Sequence, residues 1–223
     1  MSDSKLRELE RRWRETRSAD DEASYLRERV RVGELSQERL DLAAYCGHEG
    51  ARRAAGVLAG GPSPETWLTD LERRDRAAGL FAAVMLGGAV LPIWEAAHPA
   101  DNRPRHALRA AALVLANDAH AVSRAWNAAD DASDAAVESE RAARLEVASA
   151  AACISAVTDL AAGAWGSTPD VWECALGALP PADLPSIRAA IEQEIARRLL
   201  EAPAGLNPWA MPEAALQGPL APE

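Results

Sequence analysis

Pro92 to Leu113 reads PIWEAAHPADNRPRHALRAAAL, two helices meeting at a tight bend. Pro99 stops the first helix, which carries Trp94 and Glu95, because a proline disfavours helical geometry in the residue before it. Asp101 and Asn102 then offer a capping side chain, and Pro104 falls in the next first turn, where its missing N–H costs nothing. Arg103 and Arg105 sit badly there, since positive charge opposes the helix dipole at an N-terminus. A nearby acid has to offset them, and Glu95 and Asp101 are the near candidates. Either an ion pair locks the two helices together, or the two arginines are presented to a partner.

The chain around this bend is helical throughout. Ala77 to Trp94 is nearly uncharged and roughly long enough to span a membrane. Gly79, Gly87, Gly88 and Pro92 interrupt it, however, and its Ala and Gly content makes it only mildly apolar, so it reads as a buried central helix. The helix from Pro104 runs with Leu108, Ala112, Leu115, Ala119 and Val122 in phase to about Trp126. Asn127 to Asp131 reads as a polar turn, and 135–164 as an Ala-rich helix ended by Gly163 and Gly166. A short helix over Val171 and Trp172 stops at Pro180-Pro181. Asp183 to Leu200 has the clearest amphipathic pattern, through Ile187, Ile191, Ile195 and Leu199.

Upstream, Ser4 to Arg17, a segment ending at Gly33, Ser36 to Tyr45 and His48 to Ala55 form a string of short helices with serine starts and glycine stops. Residues 58–62 are the best linker, and Ser63-Pro64-Glu65 is a strong helix start. The sequence therefore divides into an N-terminal helical-hairpin appendage (1–57), an Ala-rich multi-helix bundle (63–201) and an extended Pro-rich tail (202–223), which Trp209 pins to the body. The fold class is all-α. Strand formers are sparse, and much of the 48% hydrophobic content is alanine, which favours helices and lets them approach closely.

Formal net charge is −10, which opposes nucleic acid and anionic membrane surfaces and favours a basic partner. Cys46, Cys153 and Cys174 are scattered and odd in number, which fits a reducing cytoplasm rather than a disulfide framework. The N-terminus, MSDSKLRELERRWRE, has no apolar signal core.

Glu95-Ala-Ala-His98 has the spacing of half a carboxylate-bridged dimetal site, but no second such pair exists in the chain. Cys46-Gly47-His48 lacks paired cysteines elsewhere. Nucleophile-elbow, phosphate-loop and dinucleotide motifs are missing, so no catalytic residue, metal or cofactor is expected. The densest acidic run is Asp130, Asp131, Asp134, Glu138 and Glu140. It reads as the start of a helix, where acids suit the dipole, or as a patch for a basic ligand.

Val90 to Ala116 resembles a family of immunity proteins from bacterial polymorphic toxin systems. In that family a helix ends in Leu-Pro-aromatic-Glu and is followed by an acid-rich turn into Arg-Pro-Arg and then by Ala-rich helices. Leu91-Pro92, Trp94-Glu95, Pro99, Asp101, Arg103-Pro104-Arg105 and Ala110-Ala111 match in order, with a weaker likeness over 76–164. The chain departs where the family carries histidine near Ala-Thr-Ala-His. It has Ser155-Ala156-Val157-Thr158-Asp159 instead, so no histidine-based function carries over. The resemblance implies a non-catalytic, cytoplasmic immunity protein, or antitoxin, that neutralises a basic toxin by direct binding. The expected contact residues are Trp94, Glu95, His98, Asp101, Arg103 and Arg105, followed by Asp130, Asp131, Asp134 and Glu138. The competing expectation is a helical adaptor or assembly subunit that binds a structural protein or its own copies.

Overall fold

The computed structural model describes residues 2–57, 63, 66–116, 120–142, 144–163 and 167–211. Among these it has eleven helices and no strand, a multi-helix all-α architecture. The chain forms two compact units, one of 1–62 with 192–208 and one of 63–191 with 209–223.

The first unit holds α1 (Ser2–Thr16), α2 (Ala19–Val32), α3 (Gln37–Tyr45) and α4 (Glu49–Ala55). The serine starts and glycine stops act as the sequence implies. Ser18 and Ser36 accept hydrogen bonds from the amides of Asp21 and Arg39, and Gly33 closes α2 at φ 82°. His48 is a cap rather than a helical residue, its Nδ1 accepting from the Ala51 amide at 3.2 Å. The sequence division placed 192–201 in the main bundle and 202–208 in a tail, yet both belong to this unit. Backbone carbonyls decide the matter: Leu200 accepts from Arg29 Nη1 at 2.5 Å and Leu206 from Arg39 Nη2 at 2.6 Å. The linker at 58–62, the Pro64-Glu65 start and 212–223 of the tail lie outside the described residues.

The second unit is built from α5 (Trp67–Arg74), α6 (Arg76–Ala97), α7 (Arg103–Leu115), α8 (Ala121–Arg141), α9 (Leu145–Ala162), α10 (Ser167–Ala178) and the first turns of α11 (Leu184–Glu201). α6 is its central helix. It runs unbroken through the glycines and through Pro92; the break falls earlier, at Asp75, whose carboxylate accepts from the Ala78 amide at 2.9 Å. The glycines serve close packing instead. A Cβ on Gly79 would lie 2.7 Å from Glu72 Cα on α5, and one on Gly87 would lie 2.7 Å from Leu108 Cδ1 on α7. By length and apolar content α6 and α9 could each cross a membrane, but 72% and 61% of their apolar windows are buried within the fold. Trp209 is buried and packs on Phe81, ring centroids 5.6 Å apart, as the sequence anticipated for the start of the tail.

The expected turn at 127–131 does not form. α7 ends at Leu115, and α8 continues straight through Asn127-Ala-Ala-Asp-Asp131 to Arg141. The reason is the alanine spacing. Ala121, Ala125, Ala129, Ala132 and Ala135 recur on one face and are all buried, and that burial outweighs the turn preference of Asn and Asp. The break expected further on at 163 is joined by an earlier one near Ala142, which separates α8 from α9.

Candidate functional site

At the end of α6, Trp94 is 1% exposed and forms a cluster with Ala135 of α8 and Ala151 of α9. Its indole N–H donates to the Asp101 carbonyl at 3.0 Å, holding the bend against the helix that leads into it. The His98 ring lies over the indole, centroids 4.3 Å apart, and its Nε2 is 3.3 Å from the Ser139 hydroxyl. Trp94 is therefore an internal pillar. The expectation that its ring anchors a partner is corrected, because α8, α9 and the turn already cover it.

Asp101 caps α7. Its carboxylate accepts from the Arg103 amide at 3.0 Å and from the Arg103 guanidinium at 2.7 Å. That guanidinium also reaches Glu138 of α8 at 2.7 Å, joining the bend to the acidic run. Arg105 makes a two-pronged bond to Glu95, at 2.6 and 2.8 Å, between the last turn of α6 and the first of α7. The adverse placement of both arginines is thus offset by acids beside them. The Arg103 guanidinium holds the Asp101 carboxyl below the usual carboxylate range and does the same to Glu138. Both arginine side chains remain about one third exposed, at 32% and 31%. Glu95 and His98, which share the i,i+3 spacing of a metal half-site, are each directed to another side chain. No group of three or more His, Cys, Asp or Glu able to hold a metal occurs among the described residues.

The acids of α8 behave differently. Asp130, Asp131 and Asp134 are exposed, and no ion pair or hydrogen bond engages their carboxylates among the described residues. In one continuous helix Asp130, Asp134 and Glu138 stack at i,i+4, which costs a few tenths of a kcal/mol per pair. Sequence reading missed a second feature on the same helix: Val122, Trp126 and Val137 are 41%, 50% and 40% exposed. At 100° per residue they fall with Ser133 on one side of α8, offset from the alanine face. That spacing was visible in the sequence, but a turn at 127–131 would have placed Trp126 at a helix end and split the stripe.

Acid crowding extends to α9. Asp159 is half-buried, and burial, then the charges of Asp130 and Asp170, push its carboxyl above the usual carboxylate range. At neutral pH the folded state therefore holds a charge it disfavours, and the deficit fades as pH falls through the raised value toward that of the unfolded chain. Solvent screens much of this repulsion, so Asp159→Asn should stabilise the protein at pH 7 by only a few tenths of a kcal/mol, raising Tm by about 1 °C. The gain should shrink in acid. Thermal melts at pH 7 and pH 4 check this, and a variant no more stable than wild type at pH 7 refutes it.

Two of the three thiols, Cys153 and Cys174, are held protonated by their surroundings. Burial pushes Cys153 and Cys174 upward, so neither is a ready thiolate. In the first unit a cleft of about 450 Å³ is lined by Trp13, Tyr25, Arg29, His48 and Arg197. Its polar groups have partners: His48 lies 3.7 Å from Glu22, Arg197 bonds Glu194 and Glu201, and Arg29 bonds the Leu200 carbonyl.

The fold thus defines an all-α, Ala-rich multi-helix protein with an internally locked bend and an acidic, partly apolar helix face beside it. Comparisons with protein families, curated proteins and solved structures give no match for this chain.

Proposed function

We propose that the protein is a non-catalytic, cytoplasmic binding protein of the immunity type, which neutralises a basic bacterial toxin by covering it. The observation that carries this reading is the pairing on α8 of carboxylates that are exposed and, among the described residues, unengaged, at Asp130, Asp131 and Asp134, with the exposed indole of Trp126. Exposed Trp is a favoured hot-spot residue, and unpaired acids raise the association rate with a basic surface. Retaining stacked like charges costs stability, which suits a helix kept for binding rather than for the fold. The resemblance at 90–116 points the same way, and three free thiols fit a reducing compartment. In this reading the Arg103–Glu138 bond couples the bend to the contact helix, so Glu95, His98, Asp101, Arg103 and Arg105 position the surface from behind.

The test is protection of cells expressing the toxin that co-purifies with the chain. Trp126→Ala with Asp130→Lys and Asp134→Lys should abolish protection and weaken toxin binding at least 30-fold, with Tm unchanged or raised. Full protection by the folded triple variant overturns the reading. The assembly-subunit alternative uses the same face, but with a net charge of −10 two copies repel. Light scattering that shows a defined homo-oligomer, dissociated by the same substitutions, would favour it.

A further inference from the structure

We infer that the groove between α8, α9 and α10 is the seat of a single basic amphipathic helix supplied by the partner protein. This rests on the binding reading above and adds where the partner inserts and in what form. The groove is open, with a volume of about 400 Å³. Its floor is Ala148, Ala152 and Ala156, spaced i, i+4, i+8 along α9, so the side-chain layer there is thin and another helix axis can come close. Val137 and Leu145 form apolar walls and are 40% and 69% exposed, so they offer an apolar stripe something to pack on. Carboxylates mark the rim, Glu140 toward one end and Asp159 with Asp170 toward the other, and no lining residue is basic.

These features specify the occupant. The described residues have no strand edge, and helical backbone has spent its hydrogen-bonding groups internally, so an extended peptide would find no ladder to join. A helix satisfies its own backbone and needs only an apolar stripe. From Leu145 to Asp159 the α9 floor spans roughly 21 Å, room for about four turns. A matching ligand carries apolar residues at i, i+4, i+7 and i+11, flanked by Lys or Arg that reach Glu140, Asp159 and Asp170. Other occupants fit worse. A second copy brings the same acidic rim, and the chain's own residues 212–223 contain two glutamates and no base. Nucleic acid and anionic membrane are repelled.

The experiment titrates the full chain with two labelled 14-residue peptides that share a Leu/Ala stripe, one with Lys and one with Glu on the opposite face. The Lys peptide should bind saturably at one per chain, become helical, shift the NMR signals of α9 and α10, and weaken as salt is raised. The Glu peptide should not bind. Leu145→Ser with Asp159→Asn keeps the fold, since one side chain is largely exposed and the other is relieved of like charge, and it should lose at least tenfold in affinity. Val57 lies in the first unit, is exposed and does not line the groove, so Val57→Ser should leave peptide affinity unchanged. Equal binding to wild type and the groove variant, binding of the Glu peptide, or tighter binding once 212–223 is deleted would each overturn the inference. Loss of groove binding with Trp126-dependent cell protection intact would sink the groove and leave the binding reading standing; the reverse pattern would do the opposite.

Discussion

Trp94→Ala should cost the second unit about 3–5 kcal/mol, the usual range for truncating a fully buried Trp. The indole is 1% exposed and fills the space where α6, α8 and α9 converge at Ala135 and Ala151. Alanines cannot reach across the hole it would leave, so little of the cavity can collapse. The lost bond to the Asp101 carbonyl adds to the loss, because that bond ties the bend to the helix before it. For a chain of this size the penalty corresponds to a Tm lowered by roughly 6–20 °C. Hydrogen exchange should quicken in α6, α8 and α9. Trp94→Phe, which keeps a ring and loses the donor, should cost much less. A Trp94→Ala protein melting within 2 °C of wild type would show that the pillar carries no weight.

Arg103→Ala combined with Arg105→Ala is the second large effect, and it separates the two roles the arginines could play. Both guanidiniums are engaged, Arg103 by Asp101 and Glu138 and Arg105 by Glu95. Because each is about one third exposed, solvent screens part of the attraction, and the double variant should lose about 2 kcal/mol, or roughly 4–8 °C in Tm. The sign with pH is fixed. Asp101 titrates below its ordinary value in the fold, so its contribution is present above the unfolded value and is lost as pH falls through the depressed one. Removing Arg103 should flatten the acid limb of the stability profile. A double variant with an unchanged Tm and pH profile that fails to protect against the toxin would assign the arginines to the partner instead.

Much of the fold could be read from the chain because the relevant signals are local. Ser18, Ser36 and Gly33 set helix ends through bonds within a few residues, and Pro99 and Pro180-Pro181 stop helices by sterics alone. At the bend, the clash between arginine and helix dipole already required nearby acids, and Glu95 and Asp101 are where it is met. The acidic face of α8 was half legible. Its residues were named, but their continuity was not, because Asn127 to Asp131 has the composition of a turn and its helicity comes from alanines buried against neighbouring helices. The exposure of Trp126 followed from that continuity and was missed with it.

The sequence by itself determined that the chain is helical, where most helices begin and end, and that Arg103 and Arg105 need acidic company, since each depends on neighbours a few residues apart. Only the tertiary structure decided that Trp94 is inside and Trp126 outside, that Arg103 reaches Glu138, and that 192–208 joins the N-terminal helices. Those outcomes depend on contacts between residues tens of positions apart. An alanine-rich helix has so shallow a surface that its own pattern says little about which side a neighbour will cover.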